Sequence, residues 1–254
     1  MVIALLTDFG DFYPGVMKGI IRKMSGAEVV DITHSVSPQN IVEGAFLLYS
    51  SYRFFPNGTV FVSVVDPGVG GKRRAIAVKT RDYWFVAPDN GLVYPSASEN
   101  GIEEIYVIGE SVSGISGTLS STFHGRDIFA PAGALIHDGK LDKRHFQKAD
   151  PEIVKLELFD PEIEGREISC RVLHIDRFGN AVTNLRRKDL EDIDPEGFVF
   201  NEIEIPVVER YEDVDAGEVL ALFGSFETLE LSVRDGNFSE KYNVRYGELR
   251  LRWF

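Results

Sequence analysis

Residues 60–65, Val-Phe-Val-Ser-Val-Val, form a near-continuous apolar, β-branched run that suits a strand buried on both faces. The run stops on a charge, Asp66. Pro67 then fixes the next φ angle and removes a backbone donor. Gly68, Gly70 and Gly71 follow, so the backbone can turn tightly and lie close to a ligand. Arg73 or Arg74 can fold back over the same opening. A carboxylate at the C-terminal end of a strand, beside a glycine-rich loop and a guanidinium, is where open α/β sheets place ligands. Asp-Pro-Gly is also ordinary turn chemistry, in which Asp66 would only bond its own loop.

Other strands end the same way. Val2–Leu6 reads as a buried strand ending in Thr7-Asp8-Phe9-Gly10, where Asp8 stands either at a ligand or as a helix cap or Asx-turn. The spacing predicts a helix over Pro14–Met24 with Val16, Ile20 and Ile21 inward. A strand is expected over 28–32, and a helix from about Gln39 to Phe54, capped by Ser37 with Pro38 at its first position and burying Ile41, Ala45, Leu48 and Tyr49. Strands follow over 75–78, 84–87 and 104–108, the second running into the turn Pro88-Asp89-Asn90-Gly91. Alternation of this kind predicts an α/β fold, a mostly parallel sheet covered by helices. Ser111–Ser121, rich in Ser and Gly, reads as a loop. His124 then stands just before a helix that starts near Ile128, where the helix dipole tends to lower a histidine's pKa. His34 reads as a loop histidine, and His137 and His145 as surface residues.

From Ala149 the pattern changes. Asp150-Pro151 and residues 160–165 form an acidic connector punctuated by Pro and Gly. Beyond it come short alternating segments at 168–175, 197–204, 219–223, 229–233 and 247–253, which suggest a small β-barrel or sandwich. The expected division is an α/β domain over 1–160 and a β domain over 161–254. Arg186-Arg187-Lys188 and Arg250-Leu251-Arg252 read as solvated basic patches.

Composition excludes several classes. With 40 Asp+Glu against 27 Lys+Arg and a net charge of −13, the chain has no basic footprint for nucleic acid. Cys170 is the single cysteine, so neither an internal disulfide nor a cysteine metal cluster is expected. The apolar Met1–Leu6 run ends at Thr7-Asp8, too short for a membrane span or a signal segment. A cytoplasmic location is the expectation, with no membrane partner.

Six motifs in order, Thr7-Asp8-Phe9-Gly10, His34-Ser35-Val36-Ser37-Pro38, Val65-Asp66-Pro67-Gly68-Val69-Gly70, Ala87-Pro88-Asp89-Asn90-Gly91-Leu92, Phe123-His124-Gly125-Arg126-Asp127 and residues Asp176–Asn184, make the chain resemble the adenosine-forming S-adenosyl-L-methionine (SAM) hydrolases. These are also called SAM hydroxide adenosyltransferases and are related to the fluorinating and chlorinating enzymes. The resemblance covers nearly the whole chain. It implies an N-terminal α/β domain, a C-terminal β-barrel, and a homotrimer whose active sites lie between one subunit's N-terminal domain and a neighbour's barrel. It implies a water-handling trio of Asp66, Arg73 and His124, with Arg73 rather than Arg74 taking the role. Asp8 matches the ribose contact, Phe178 and Asn180 the adenine contacts, and Tyr211 a stacking partner. Asp176 matches a methionine-amine contact and Ser225 a carboxylate contact. The loop after Gly10 is about two residues shorter than is usual in the family, so no role is carried over to Asp11–Tyr13. The halogenating relatives lack the acidic residue found here as Asp66 and the histidine found here as His124.

The implied reaction is attack of water at the ribose 5′-carbon of SAM, giving adenosine and L-methionine. A sulfonium departs as a neutral thioether, so the chain has only to hold water in line and share its proton. Asp66 or His124 can accept that proton; Arg73, permanently charged, can only orient its neighbours. No cofactor and no metal is required. Two other readings stand beside this one. A metal-dependent hydrolase would use Asp8, Asp66 and His124 as ligands, but Arg73 would oppose the cation. A non-catalytic SAM or adenosine sensor would use the same loops without needing the trio.

Overall fold

In the N-terminal half, strand and helix alternate: β1 (Val2–Thr7), α1 (Tyr13–Met24), β2 (Glu28–Thr33), α2 (Ile41–Ser51), β3 (Val60–Val64), β4 (Ala75–Thr80), β5 (Trp84–Pro88), α3 (Tyr94–Asn100), β6 (Ile102–Ile108), α4 (Ser113–Ser116), α5 (Ala130–His137) and β7 (Phe146–Ala149). The computed structural model describes residues 1–117, 119–150 and 152–254. Thr118, in the Ser/Gly-rich stretch, and Pro151, in the acidic connector, lie outside the described residues. The chain divides into two units, Met1–Leu156 and Glu157–Phe254, a few residues ahead of the boundary expected at Asp160.

The first unit holds a seven-stranded sheet of order β2-β1-β3-β5-β4-β6-β7. Its pairings run β2, β1, β3, β5 and β6 one way, five of the seven, and β4 and β7 the other. The sheet is therefore mostly parallel, as the alternation predicts. Central β1 and β3 are buried almost throughout, which is why their sequences are runs rather than alternations. Successive side chains point to opposite faces. Ile3, Leu5, Val60, Val62 and Val64 pack with Met17 and Ile21 of α1 and with Ala132 and Ile136 of α5. Phe61 and Phe85, on the other face, stack at 5.2 Å beside Tyr52 and Tyr83. Truncating Phe61, fully buried, to alanine would cost about 3–5 kcal/mol.

One close approach fixes α5. A Cβ at Gly133 would come within 2.5 Å of Val62 Cγ2, so the helix lies against β3 only because this position has no side chain.

Several local expectations change. The second helix starts at Ile41, and Asn40 caps it, its side chain accepting from the Glu43 N–H. Gln39, at φ 64°, turns left-handed and prevents a start at Ser37-Pro38. Ala45 and Leu48 are buried, whereas Ile41 and Tyr49 are half-buried. In α1 Pro14, Met17 and Ile21 are buried, whereas Val16 and Ile20 are half-buried. The Ser111–Ser121 stretch contains helical turns over Glu110–Val112 and α4. His137 is half-buried, its Nε2 at 3.0 Å from the Met1 carbonyl oxygen. His145 is also half-buried, its Nδ1 3.0 Å from Ser111 Oγ.

The second unit is an antiparallel sheet built from β8 (Glu162–Glu164), β9 (Glu167–Ile175), β10 (Ala181–Arg186), β11 (Gly197–Phe200), β12 (Ile203–Pro206), β13 (Val219–Phe223), β14 (Thr228–Val233) and β15 (Gly247–Trp253), with the short helix α6 (Phe238–Lys241). The order is β12-β11-β15-β9-β10-β14-β13, with β8 on β9. A bridge from Val207, just past β12, to Ala221 of β13 brings the two ends together into a nearly closed barrel. Its interior is filled by Phe198, Leu229, Leu231, Phe238 and Leu251, among others. The expected segment 197–204 is a hairpin of two strands, turned by left-handed Asn201 and Glu202 at φ 48° and 66°. Strands β7, β8 and β10 were not foreseen. Among the described residues no helix is long and apolar enough to cross a membrane.

Candidate active site

Asp66 sits two residues past β3, at the C-terminal edge of the parallel part of the sheet. The glycine-rich loop after it returns the chain to Arg73. Gly70, at φ 74°, lies so close to the Ser121 carbonyl that a Cβ would collide with it. The glycine thus accommodates the protein's own backbone rather than a ligand, and it draws the Asp66 loop against the segment leading to His124. There the helix begins with a π-helical turn, Gly125–Phe129, for which His124 is the N-cap residue; such turns recur at functional sites.

Arg73 joins the two. Its Nε donates to Asp66 Oδ1 and Oδ2 at 3.1 and 3.0 Å, and one terminal nitrogen also reaches Oδ2. That terminal nitrogen lies 2.7 Å from His124 Nδ1. The Asp66 side chain is 4% exposed and that of Arg73 13%, and the guanidinium lies over the Phe129 ring at 5.3 Å. A guanidinium has no acceptor, so the bond runs from Arg73 to Nδ1 and the neutral imidazole carries its proton on Nε2. Burial, then the Arg73 charge, lowers the His124 pKa below its ordinary 6.5, with Asp66 opposing. The direction agrees with the sequence reading, and burial and the Arg73 charge are its causes here. The neighbouring Arg74 is turned elsewhere, with its Nε at 2.8 Å from Asp89 Oδ2.

Asp66 and His124 line a cavity of about 230 Å³ together with Asp8, Phe9, Pro38, Gln39 and Phe123. Arg73 does not line it. Asp8 Oδ2 accepts from the Gln39 N–H at 2.8 Å, which gives the left-handed turn at Gln39 a purpose. Burial raises the Asp8 pKa above 3.8, the Asp66 charge adds to it, and the backbone N–H groups of Gln39 and Asp8 oppose. Phe9, Tyr13 and Phe123 pack edge to face, with Phe9 and Phe123 rings 5.7 Å apart. Gln39, Phe9 and Phe123 were not among the expected site residues; only the adjacency of Phe9 to Asp8 and of Phe123 to His124 signals them.

In the second unit, Asp176, Phe178, Asn180 and Tyr211 line one cavity of about 690 Å³ with Glu212, Arg234, Asp235 and Asn237. Asp176 shapes its own loop, Oδ1 accepting from the Phe178 and Asn180 N–H groups at 2.8 and 2.9 Å and Oδ2 from Asn180 Nδ2 at 3.0 Å. Phe178 is 69% exposed, an aromatic face open for stacking. The Tyr211 hydroxyl donates to Glu230. Ser225 is not brought into this cavity; it lies in the exposed turn between β13 and β14.

A carboxylate–guanidinium–imidazole trio at the edge of a mostly parallel sheet, in a chain that also carries a small barrel, defines a class of enzyme-like architecture. The SAM hydroxide adenosyltransferase N-terminal domain matches residues 3–145 and the C-terminal domain residues 170–250. The chain belongs to the SAM hydroxide adenosyltransferase family. It is similar to the (R)-S-adenosyl-L-methionine hydrolase of Methanocaldococcus jannaschii, 39% identical over 74% of this chain and 68% of that one. It is also similar to the enzyme of the same name from Thermus thermophilus, 33% identical over 96% of both. The fluorinase of Nocardia brasiliensis is 28% identical over 97% of this chain and 94% of its own. Among solved structures, an uncharacterized conserved protein from Thermotoga maritima superposes with a TM-score of 0.87 at 35% identity, covering 99% of this chain and all of the other.

Proposed function

We propose that the chain is an adenosine-forming SAM hydrolase, which delivers water to the ribose 5′-carbon and releases adenosine and L-methionine. The observation that carries this reading is the Arg73 guanidinium bonded to both Asp66 and His124 beside a cavity that Asp8 also lines. The sulfonium leaves as a neutral thioether, so it needs no acid. Water must be held within about 3–3.5 Å of the carbon and in line, and its proton must go somewhere.

Arg73 cannot take the proton. His124 has its Nδ1 lone pair engaged by Arg73, so its other nitrogen is a donor and a second proton would set two cations side by side. Asp66 keeps lone pairs beyond those that Arg73 uses. Asp66 is therefore the acceptor in this reading, and His124 donates to the water oxygen and orients it. Arg73 orients both partners from behind. Asp8 holds the ribose hydroxyls. In the barrel unit, Phe178 and Tyr211 flank adenine, Asn180 bonds it, Asp176 meets the methionine ammonium, and Ser225 meets the carboxylate. These last roles rest on the family resemblance and, Ser225 apart, on the shared cavity.

A cavity of about 230 Å³ is below the roughly 300–1,000 Å³ of ordinary ligand sites, and the expected contacts are split between the two units. Both points support a homotrimer in which a neighbouring chain's barrel supplies the second wall. The single, buried Cys170 is in keeping with a cytoplasmic enzyme. The metal-dependent reading is less favoured, because a guanidinium already neutralises Asp66. A sensor gains nothing from the Asp66–Arg73–His124 arrangement. The direct test is incubation of the purified protein with SAM and mass-spectrometric identification of products. Adenosine and L-methionine are expected, with and without EDTA; methylthioadenosine, adenine or no turnover would reject the proposal.

A further inference from the structure

The turn Pro88-Asp89-Asn90-Gly91 lines neither cavity, yet it touches both ends of the loop that carries Asp66 and Arg73. Asn90 Nδ2 donates at 2.8 Å to the carbonyl of Val65, the residue directly before Asp66. Asp89 takes the other end. Its Oδ2 accepts from Arg74 Nε at 2.8 Å, and its N–H donates to the Arg74 carbonyl at 2.9 Å. The Asp89 side chain is 5% exposed, and its Oδ1 is anchored by the Val154 N–H at 2.8 Å. Asn90 Oδ1 meanwhile accepts from the Leu92 N–H at 3.2 Å, which is its part in the turn itself.

We propose that Asp89 and Asn90 are positioning residues for the water-handling trio. One turn clamps both feet of the 66–73 loop, and by tying up Arg74 it leaves Arg73 as the guanidinium that meets Asp66 and His124. The inference rests on the hydrolase reading for its kinetic consequence but not for its geometric one. A misplacement of about 1 Å in a reacting constellation can lower a rate by on the order of 100-fold. Loosening either foot should therefore reduce kcat while leaving KM little changed, because neither residue lines a cavity.

The test compares Asn90→Ala, Asn90→Asp and Asp89→Asn with the unaltered full-length protein. Asn90→Asp is the informative variant: it keeps the acceptor for the Leu92 N–H and loses the donor to Val65. A turn-forming role alone would survive it; the positioning role would not. Expected are kcat losses of about 10–100-fold in all three, KM within about 2-fold, and midpoints of unfolding high enough for each to be folded at assay temperature. A second readout needs no substrate. The His124 ring resonances, followed by NMR across pH in the absence of SAM, should titrate at higher pH in the variants as Arg73 loses its place beside Nδ1. Unaltered His124 titration together with unaltered kcat in Asn90→Asp overturns the proposal. If the unaltered protein does not hydrolyse SAM, the hydrolase reading fails, and the NMR arm alone decides: a moved titration upholds the positioning role, an unmoved one rejects it.

Discussion

Replacing Arg73 by methionine tests the trio without any substrate. The side chain lost is the only charge bonded to Asp66 among the described contacts, and Asp66 is 4% exposed. Breaking such a pair from one side leaves an uncompensated buried carboxylate and costs about 3–5 kcal/mol. At about 2–4 °C per kcal/mol for a chain of this size, the unfolding midpoint of the α/β unit should fall by about 6–20 °C at pH 8. Asp66→Asn combined with Arg73→Met should recover much of the loss at pH 8, since no buried charge remains. Scanning calorimetry at pH 8 on the two variants and the unaltered protein reads both effects. A midpoint for Arg73→Met within about 2 °C of the unaltered protein, or a double variant no more stable than the single, would refute the argument.

Three further outcomes follow from the same geometry. His124 has a folded pKa below 6.5, so kcat/KM should hold through neutral pH and fall only as pH drops through that lowered value; an acid limb above 6.5 in a full pH–rate profile would contradict it. Hydrolysis in ¹⁸O-enriched water should label the 5′-hydroxyl of adenosine, and unlabelled product would remove water as the nucleophile. Asp66→Ala and Asn180→Ala, each inactive alone, should recover activity when co-expressed with two different tags and purified through both, because mixed trimers contain some interfaces with both walls intact. Verified mixed trimers without activity would place each site within one chain.

The geometry of the candidate site was legible where a residue type breaks a strong pattern. Asp66 at the end of a β-branched run, and His124 ahead of a helix, stand out because a charge or an imidazole there interrupts a strong pattern. The choice of Arg73 over Arg74 was not legible from the residues alone. It depends on Asp89, a partner 15 positions further on from Arg74, and only the β4–β5 pairing brings them together. The start of the second helix was misread because Ser37-Pro38 is good local capping chemistry. What overrides it is the bond from the Gln39 N–H to Asp8, a contact across 31 residues. In the barrel, the Asn201-Glu202 turn carries no glycine, so one apolar segment concealed two strands. Strand β10 was hidden because its first four residues fall inside a motif that draws attention to Asn180, and because Ala181–Leu185 are buried in succession rather than alternately.

Gly133 gives the candidate site an unexpected dependence. It lies in the same continuous helical segment as His124, and it meets Val62, four residues before Asp66. Asp66 and His124 are thus two arms of one caliper, whose pivot is a bare backbone pressed on a strand in the middle of the core. A methyl group at that pivot would open the arms by displacing the helix, and the gap between imidazole and carboxylate would widen with no change to any residue that touches the cavity. The separation of the two side chains is set in the core, at a residue that the cavity does not touch.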